Sequence, residues 1–287
     1  MLLRAALLLL VLLLGGCKGA FFDAVNLRQP TDGVVSHRDI IYDTATGTAL
    51  DVYAPAHARH APVVVYFYGG SWMGGRRQWF RWMGEALAAR GVVTVVADVR
   101  LWPTVRMKGF LHDAAEAVRW TRDHAATFGG DPHDEFVMGH SSGGQIAAML
   151  AVDKQWLAAV GMRPRELAGV IGVAGTYDFI PFDEPAFADI FGHSPAEQAL
   201  SQPINFVDGD EPPALILQGE DDTIVSPAEA VAFEGRYRQQ GEPVELRLYP
   251  GLGHEGLLLA FGPRRATAPV LDDTLNFIGR HQVALDR

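Results

Sequence analysis

The chain holds one cysteine, Cys17, in 287 residues. A disulfide within it is therefore excluded, and stability must come from a packed core. Nowhere do lysines and arginines cluster, and the formal charge is −10, so neither nucleic acid nor an electrostatic membrane contact is expected as a partner. No HExxH segment and no histidine pair at ligand spacing occur, and neither a metal nor a cofactor is expected. Internal repeats, low-complexity tracts and long linkers are missing as well. The longest apolar stretch, Ala5 to Leu14, falls short of the roughly 20 residues that a bilayer-spanning helix requires.

What is present at the N-terminus is Arg4, that short apolar stretch, two glycines and then the cysteine. This is the layout of a cleaved export signal. The segment Leu14-Gly15-Gly16-Cys17 resembles the bacterial lipobox, which implies cleavage before Cys17 and a lipid on its thiol. The expected organisation is a signal peptide over 1–16, a tether over 17–36 and one domain over 37–287. The membrane is expected as a partner only through the lipid anchor, which makes the protein exported and bound to a bacterial cell membrane.

Hydrophobic residues make up 48% of the chain, enough for a sizeable core. Beyond the tether, unbroken apolar runs alternate with amphipathic segments. Pro62–Tyr68, Val92–Ala97, Glu135–Met138, Gly169–Gly175 and Ala214–Gly219 read as strands covered on both faces, whereas Val244–Pro250 alternates like an edge strand. Helical patterns lie at Gln78–Arg90, Leu111–Phe128, Ser142–Val152, Ala228–Gln240 and Val270–Arg280. Two identical tetrapeptides, Ser194–Glu197 and Ser226–Glu229, carry the capping-box spacing with proline in the first turn. Such alternation predicts an α/β fold: one mostly parallel central sheet with helices on both faces and ligand sites at the carboxyl ends of its strands.

The chemistry concentrates in three loops. Gly139-His140-Ser141-Ser142-Gly143 fits GxSxG between a predicted strand and a predicted helix, where small neighbours let a serine hydroxyl stand clear of a sharp turn. Ser141 is the expected nucleophile, and the backbone amide of Ser142 an expected oxyanion donor. Tyr68-Gly69-Gly70-Ser71-Trp72 follows an early buried strand and offers the amides of Gly69 and Gly70, with Ser71 as a further possibility. The acid and base should follow in the order serine, acid, histidine. Asp222, with Asp221 as second choice, follows a buried strand. His254 is the only one of ten histidines in a glycine-flanked loop after a late strand.

From about His37 onward the chain resembles an α/β-hydrolase of the esterase and lipase branch, which includes hormone-sensitive-lipase-like enzymes, bacterial feruloyl-esterase-like domains and kynurenine formamidase. The resemblance rests on LDVYAP, YGGSW, ADVRLWP, FGGDP, GHSSGG, GEDDTIVSP and YPGLGH in that order. It implies an α/β-hydrolase fold and a triad of Ser141, Asp222 and His254, with Asp222 in a Gly-x-x-Asp-x-x-Val segment. Tyr68 stands where the family often has histidine, and Asp98-Val99-Arg100 where it often has Asp-Tyr-Arg. Asp98 and Arg100 are expected to form an ion pair near the oxyanion loop. The stretch Thr176–Pro213 leaves room for a small cap at most, and Phe179, Phe182, Phe187, Phe191 and Phe206 within it either line a pocket or pack on one another.

The expected activity is hydrolysis of small to medium acyl or aryl carboxylic esters through an acyl-enzyme, with a small-molecule ester as partner. Amide or formamide hydrolysis would use the same triad. A non-catalytic binding protein would retain only the scaffold, and a metal hydrolase would use Glu220, Asp221, Asp222 and His254.

Overall fold

A computed structural model describes residues 19–262 and 267–282; the signal-peptide and lipobox readings, Cys17 included, lie outside the described residues. β3 (Ala61–Phe67) is mostly valine and aromatic side chains after Ala61 and Pro62, and every residue is buried. A strand covered on both faces has no use for the polar alternation of a half-exposed one. β4 (Val93–Ala97), β6 (Gly169–Val173) and β7 (Ala214–Gly219) follow the same rule, and β5 (Gly130–His140) follows it over its last seven residues. With β1 (Val34–Asp43), β2 (Thr48–Pro55) and β8 (Val244–Tyr249) they form one eight-stranded sheet in the order β1-β2-β4-β3-β5-β6-β7-β8. β4 to β8 pair in parallel in that order, while β1 and β2 are antiparallel. The alternating sequence of β8 does lie at an edge.

Strand alternation sends Val63, Val65 and Phe67 to one face and Val64 and Tyr66 to the other. The first face carries α3 (Met107–His124), α4 (Ser142–Val152), α5 (Lys154–Ala159) and α8 (Pro227–Gln240); the second carries α2 (Arg81–Ala88), α9 (His254–Leu259) and α10 (Val270–His281). In α4 every side chain is buried, and its sequence SGGQIAAMLAV supplies small residues that let it sit close to β5 and β6.

Two expectations are corrected by the packing, and one strand pair is new. Residues 19–28, read as part of a tether, form a helix, α1, docked on the domain: Phe22 stacks on Trp79, and Asn26 Oδ1 accepts from the amide of Trp82. Together with β1, which starts at Val34, this moves the start of the packed unit upstream of 37. The antiparallel pair β1–β2 escaped the pattern because β1 is largely exposed and slips register twice. Last, the two capping-box segments diverge. Ser194 and Glu197 form the reciprocal box at α7 (Pro195–Ala199). At α8 Ser226 caps alone, because Glu229 Oε2 instead accepts from the amides of Tyr177 and Asp178.

Between β6 and β7 the chain makes a short excursion through α6 (Pro185–Phe191) and α7. It is held down by aromatics: Trp72 packs face to face with Phe179 at 5.4 Å and edge-on to Phe187 and Phe191 at 5.2 and 4.7 Å. Such pairs contribute about 0.5–1.5 kcal/mol each beyond area burial.

Candidate active site

β5 ends at His140 and α4 begins at Ser142, which leaves Ser141 alone on the turn at φ 55° and ψ −124°. A side-chain-bearing residue in such a conformation costs about 1–3 kcal/mol and persists only where its surroundings enforce it. Here the Ser141 amide donates to the Val173 carbonyl at 3.0 Å, and its own carbonyl accepts from Gly144 at 2.8 Å and Gln145 at 3.2 Å. A methyl group on Gly139 would overlap the Gly143 carbonyl, and one on Gly143 would overlap the Phe67 carbonyl. Both motif glycines are thus required by close backbone approach. The Ser142 amide opens α4, where the first N–H groups have no intrahelical acceptor and the helix dipole favours negative charge.

The loop after β3 closes on this turn. A Cβ on Gly69 would stand 2.9 Å from His140 Nδ1 and 3.0 Å from Ser141 Cβ. Gly70 has φ +148°, and Ser71 and Trp72 both take left-handed angles, φ 55° and 58°. Behind the loop, Tyr68 donates its hydroxyl to Asp98 Oδ1 at 2.7 Å, and Arg77 bridges Asp98, Asp51 and Asp39. Burial first, and then Asp98, hold the Tyr68 phenol well above its ordinary pKa. The expected Asp98–Arg100 ion pair does not form. Arg100 makes a bidentate pair with the buried Asp113 instead, because that carboxylate on α3 meets the guanidinium fork.

Asp222 and His254 come from the loops after β7 and β8. Asp222 Oδ2 accepts from His254 Nδ1 at 2.8 Å and from Gln218 Nε2 at 3.0 Å, while Oδ1 accepts from the amides of Ile224 and Val225 at 2.9 Å each. Burial pushes this carboxyl up, but the hydrogen bonds from His254, Val225 and Ile224 outweigh it and leave it below its ordinary value. An ionised Asp222 only accepts, so His254 carries its proton on Nδ1 and leaves Nε2 as the basic atom. Asp221, the second choice, is exposed, and its amide bonds the Leu252 carbonyl.

Ser141, Ser142 and Asp222 line one cavity of about 850 Å³ with Trp72, Phe179 and Phe187. Of the five phenylalanines flagged in the sequence, Phe179 and Phe187 reach this cavity; Phe182 and Phe191 pack behind them, and Phe206 lies half-buried against the core. His140 lies beside the site. Its Nε2 donates to the His254 carbonyl at 3.4 Å, the two rings are 4.6 Å apart, and burial drives its pKa down to about 3. Gln218 and Gln145, both fully buried, were invisible in the sequence, since nothing local distinguishes a buried glutamine from a surface one. Among the described residues no group of three or more His, Cys, Asp or Glu side chains is arranged to hold a metal ion.

Comparison with known proteins agrees with this architecture. The probable isoprenylcysteine alpha-carbonyl methylesterase of Oryza sativa subsp. japonica is 24% identical over 84% of this chain and 63% of its own length. This chain thus spans under two thirds of that relative. Esterase LipC of Mycobacterium tuberculosis is 28% identical over 86% of this chain and 66% of its own. Among solved structures, esterase B from Lactobacillus rhamnosis superposes with a TM-score of 0.79 at 20% identity, covering 98% of this chain and 96% of that one, which shows the α/β-hydrolase fold. The model of one family, BD-FAE, matches residues 50–237, well over half of the sequence. The chain belongs to the BD-FAE family.

Proposed function

We propose that the protein is a serine esterase that cleaves small to medium acyl or aryl carboxylic esters through an acyl-enzyme. The observation that carries this reading is the 2.8 Å bond from His254 Nδ1 to Asp222, beside a serine held at a left-handed turn on the same cavity. In this mechanism His254 Nε2 takes the Ser141 proton as Oγ attacks the ester carbonyl. The amides of Gly69, Gly70 and Ser142 receive the negative charge that develops on the carbonyl oxygen. His254, positive at that stage, is steadied by Asp222 and passes its proton to the departing alcohol. Water activated by the same histidine then releases the acid and restores Ser141.

The esterase names of the plant and mycobacterial relatives support this activity. Hydrolysis of p-nitrophenyl esters, from acetyl to long acyl chains, tests it with the protein lacking residues 1–17 and its Ser141→Ala variant. Turnover by the first and its loss in the second is the expected result. Equal rates in both would remove Ser141 from the chemistry.

Cys17 is, in the same reading, a lipidated N-terminus that holds the enzyme on a bacterial membrane outside the cytoplasm. Its support is the Leu14–Cys17 segment and the absence of any other cysteine. An intact mass of the exported protein showing an uncleaved chain with a free thiol would overturn it.

A further inference from the structure

Gln145 sits four residues beyond Ser141 on the first turn of α4, and it is 0% exposed. Its backbone amide donates to the Ser141 carbonyl at 3.2 Å. Its side-chain Oε1 accepts from the Trp72 indole Nε1 at 3.1 Å, and its Nε2 donates to the Ser201 carbonyl at 3.0 Å. One residue therefore touches the turn that carries the serine, the loop that offers Gly69 and Gly70, and the excursion that covers the cavity.

The link continues on the far side. The side chain of Gln202, also 0% exposed, donates from Nε2 to Ser201 Oγ at 2.6 Å and accepts from the Phe179 amide at 2.6 Å. Phe179 is the ring that faces Trp72 at 5.4 Å. The chain of contacts closes on itself: Trp72 to Gln145, Gln145 to Ser201, Ser201 to Gln202, Gln202 to Phe179, and Phe179 back to Trp72. Buried amides that satisfy both ends in this way specify a single arrangement, because a shift of either segment leaves a donor or acceptor unpaired at a cost of about 1–3 kcal/mol.

We propose that Gln145 is a positioning residue that sets the oxyanion loop and the aromatic wall of the acyl pocket as one unit, so that it controls both turnover and chain-length selectivity. The proposal rests on the serine-esterase reading for its catalytic consequence but not for the coupling itself. The side chain of Gln145 bonds to no reacting atom; it acts by holding Trp72, whose left-handed backbone lies in the loop that carries Gly69 and Gly70.

The test uses Gln145→Met, which keeps the volume and removes the amide, Trp72→Phe, which keeps an aromatic ring and removes the indole N–H, and the double variant. For each, kcat and KM are measured across p-nitrophenyl esters from acetyl to octanoyl, and amide hydrogen exchange is followed by mass spectrometry. Misplacement of catalytic groups by about an ångström lowers kcat about 10²-fold. The expected result is a fall in kcat of about 10- to 100-fold in each single variant with KM changed less than about threefold, a flattened chain-length profile, and a double variant no worse than the poorer single one. Exchange should rise together in 69–76 and 177–206 and stay unchanged in α10. Kinetics and profile within about twofold of the parent, or single-variant losses that multiply, would overturn the proposal. If Gln145→Met does not fold, Gln145→Leu takes its place in the cycle with Trp72→Phe. Joint loosening of the two segments in a protein without Ser141-dependent turnover would leave the coupling standing and sink the esterase reading instead.

Discussion

Gly69 packs against the turn at His140 and Ser141 with no room for a side chain. A methyl group on Gly69 would lie 3.0 Å from Ser141 Cβ, 2.9 Å from His140 Nδ1 and 3.1 Å from the His140 carbonyl. None of these neighbours is the free end of a flexible side chain, so the loop itself must retreat. Because that loop is proposed to donate to the oxyanion, Gly69→Ala should lower kcat by about 10²-fold, the scale of losing one such donor. KM should move little. A kcat within about threefold of the parent for p-nitrophenyl butyrate would remove Gly69 from the oxyanion site.

Adjacent carboxylates make a second contrast. Asp222 is buried and bonded to His254, whereas Asp221 is exposed and offers only its backbone to Leu252. Asp222→Asn would place an amide where an acceptor is needed, and the histidine would lose its tautomer. A fall in kcat of about 10³- to 10⁴-fold is expected there, against a change of less than about twofold for Asp221→Asn. Similar losses in both variants would contradict the assignment.

The legible parts of the sequence were those in which local pattern and tertiary role coincide. The end of β5 is an apolar run stopped by Gly139, with Gly143 closing the motif, so the turn at Ser141 and all of α4 could be read from spacing alone. β1 could not, because its exposed face and two bulges erase the period-two signal. Glu197 and Glu229 occupy the same place in identical tetrapeptides, yet only Glu197 closes a capping box, since Glu229 meets two amides from the loop after β6. Asp98 and Arg100 took partners on other elements for the same reason. Where the deciding group is distant in sequence, no local pattern carries the information.

His140 gives the fold an acid limit. Burial first, and then the electrostatic influence of the neighbouring His254, holds its pKa down from 6.5 to about 3. Between those values the unfolded chain takes up a proton that the native state refuses, so stability rises with pH across that window and is lost as pH falls through it. The slope from this one group reaches about 1.4 kcal/mol per pH unit. Asp222, held low, loses stability in the same direction on acidification. Urea unfolding of the parent and His140→Gln at pH 7 and pH 5 isolates the histidine. The variant should start less stable at pH 7 and lose less on acidification; parallel losses would show that His140 is not the group being titrated.

The cavity over Ser141 also has a charge. Its lining includes Asp178, Asp183, Glu184, Asp222 and Glu229 and, among the described residues, no lysine or arginine. Asp222 is neutralised within its pair with His254 once that ring is protonated, but the other carboxylates act on whatever enters. An ester whose acyl chain ends in a carboxylate meets like charges at separations of several ångströms, where each pair costs a fraction of a kcal/mol to about 1 kcal/mol in partly solvated surroundings. Mono-p-nitrophenyl glutarate should therefore show kcat/KM at least about tenfold below p-nitrophenyl butyrate at low salt, with the gap narrowing as ionic strength rises. The exposed pair Asp183→Asn and Glu184→Gln together should narrow it further without changing the rate on the neutral ester, because neither side chain touches the proposed catalytic groups. A gap that salt and both substitutions leave unchanged would mean that shape, and not charge, excludes the anionic substrate.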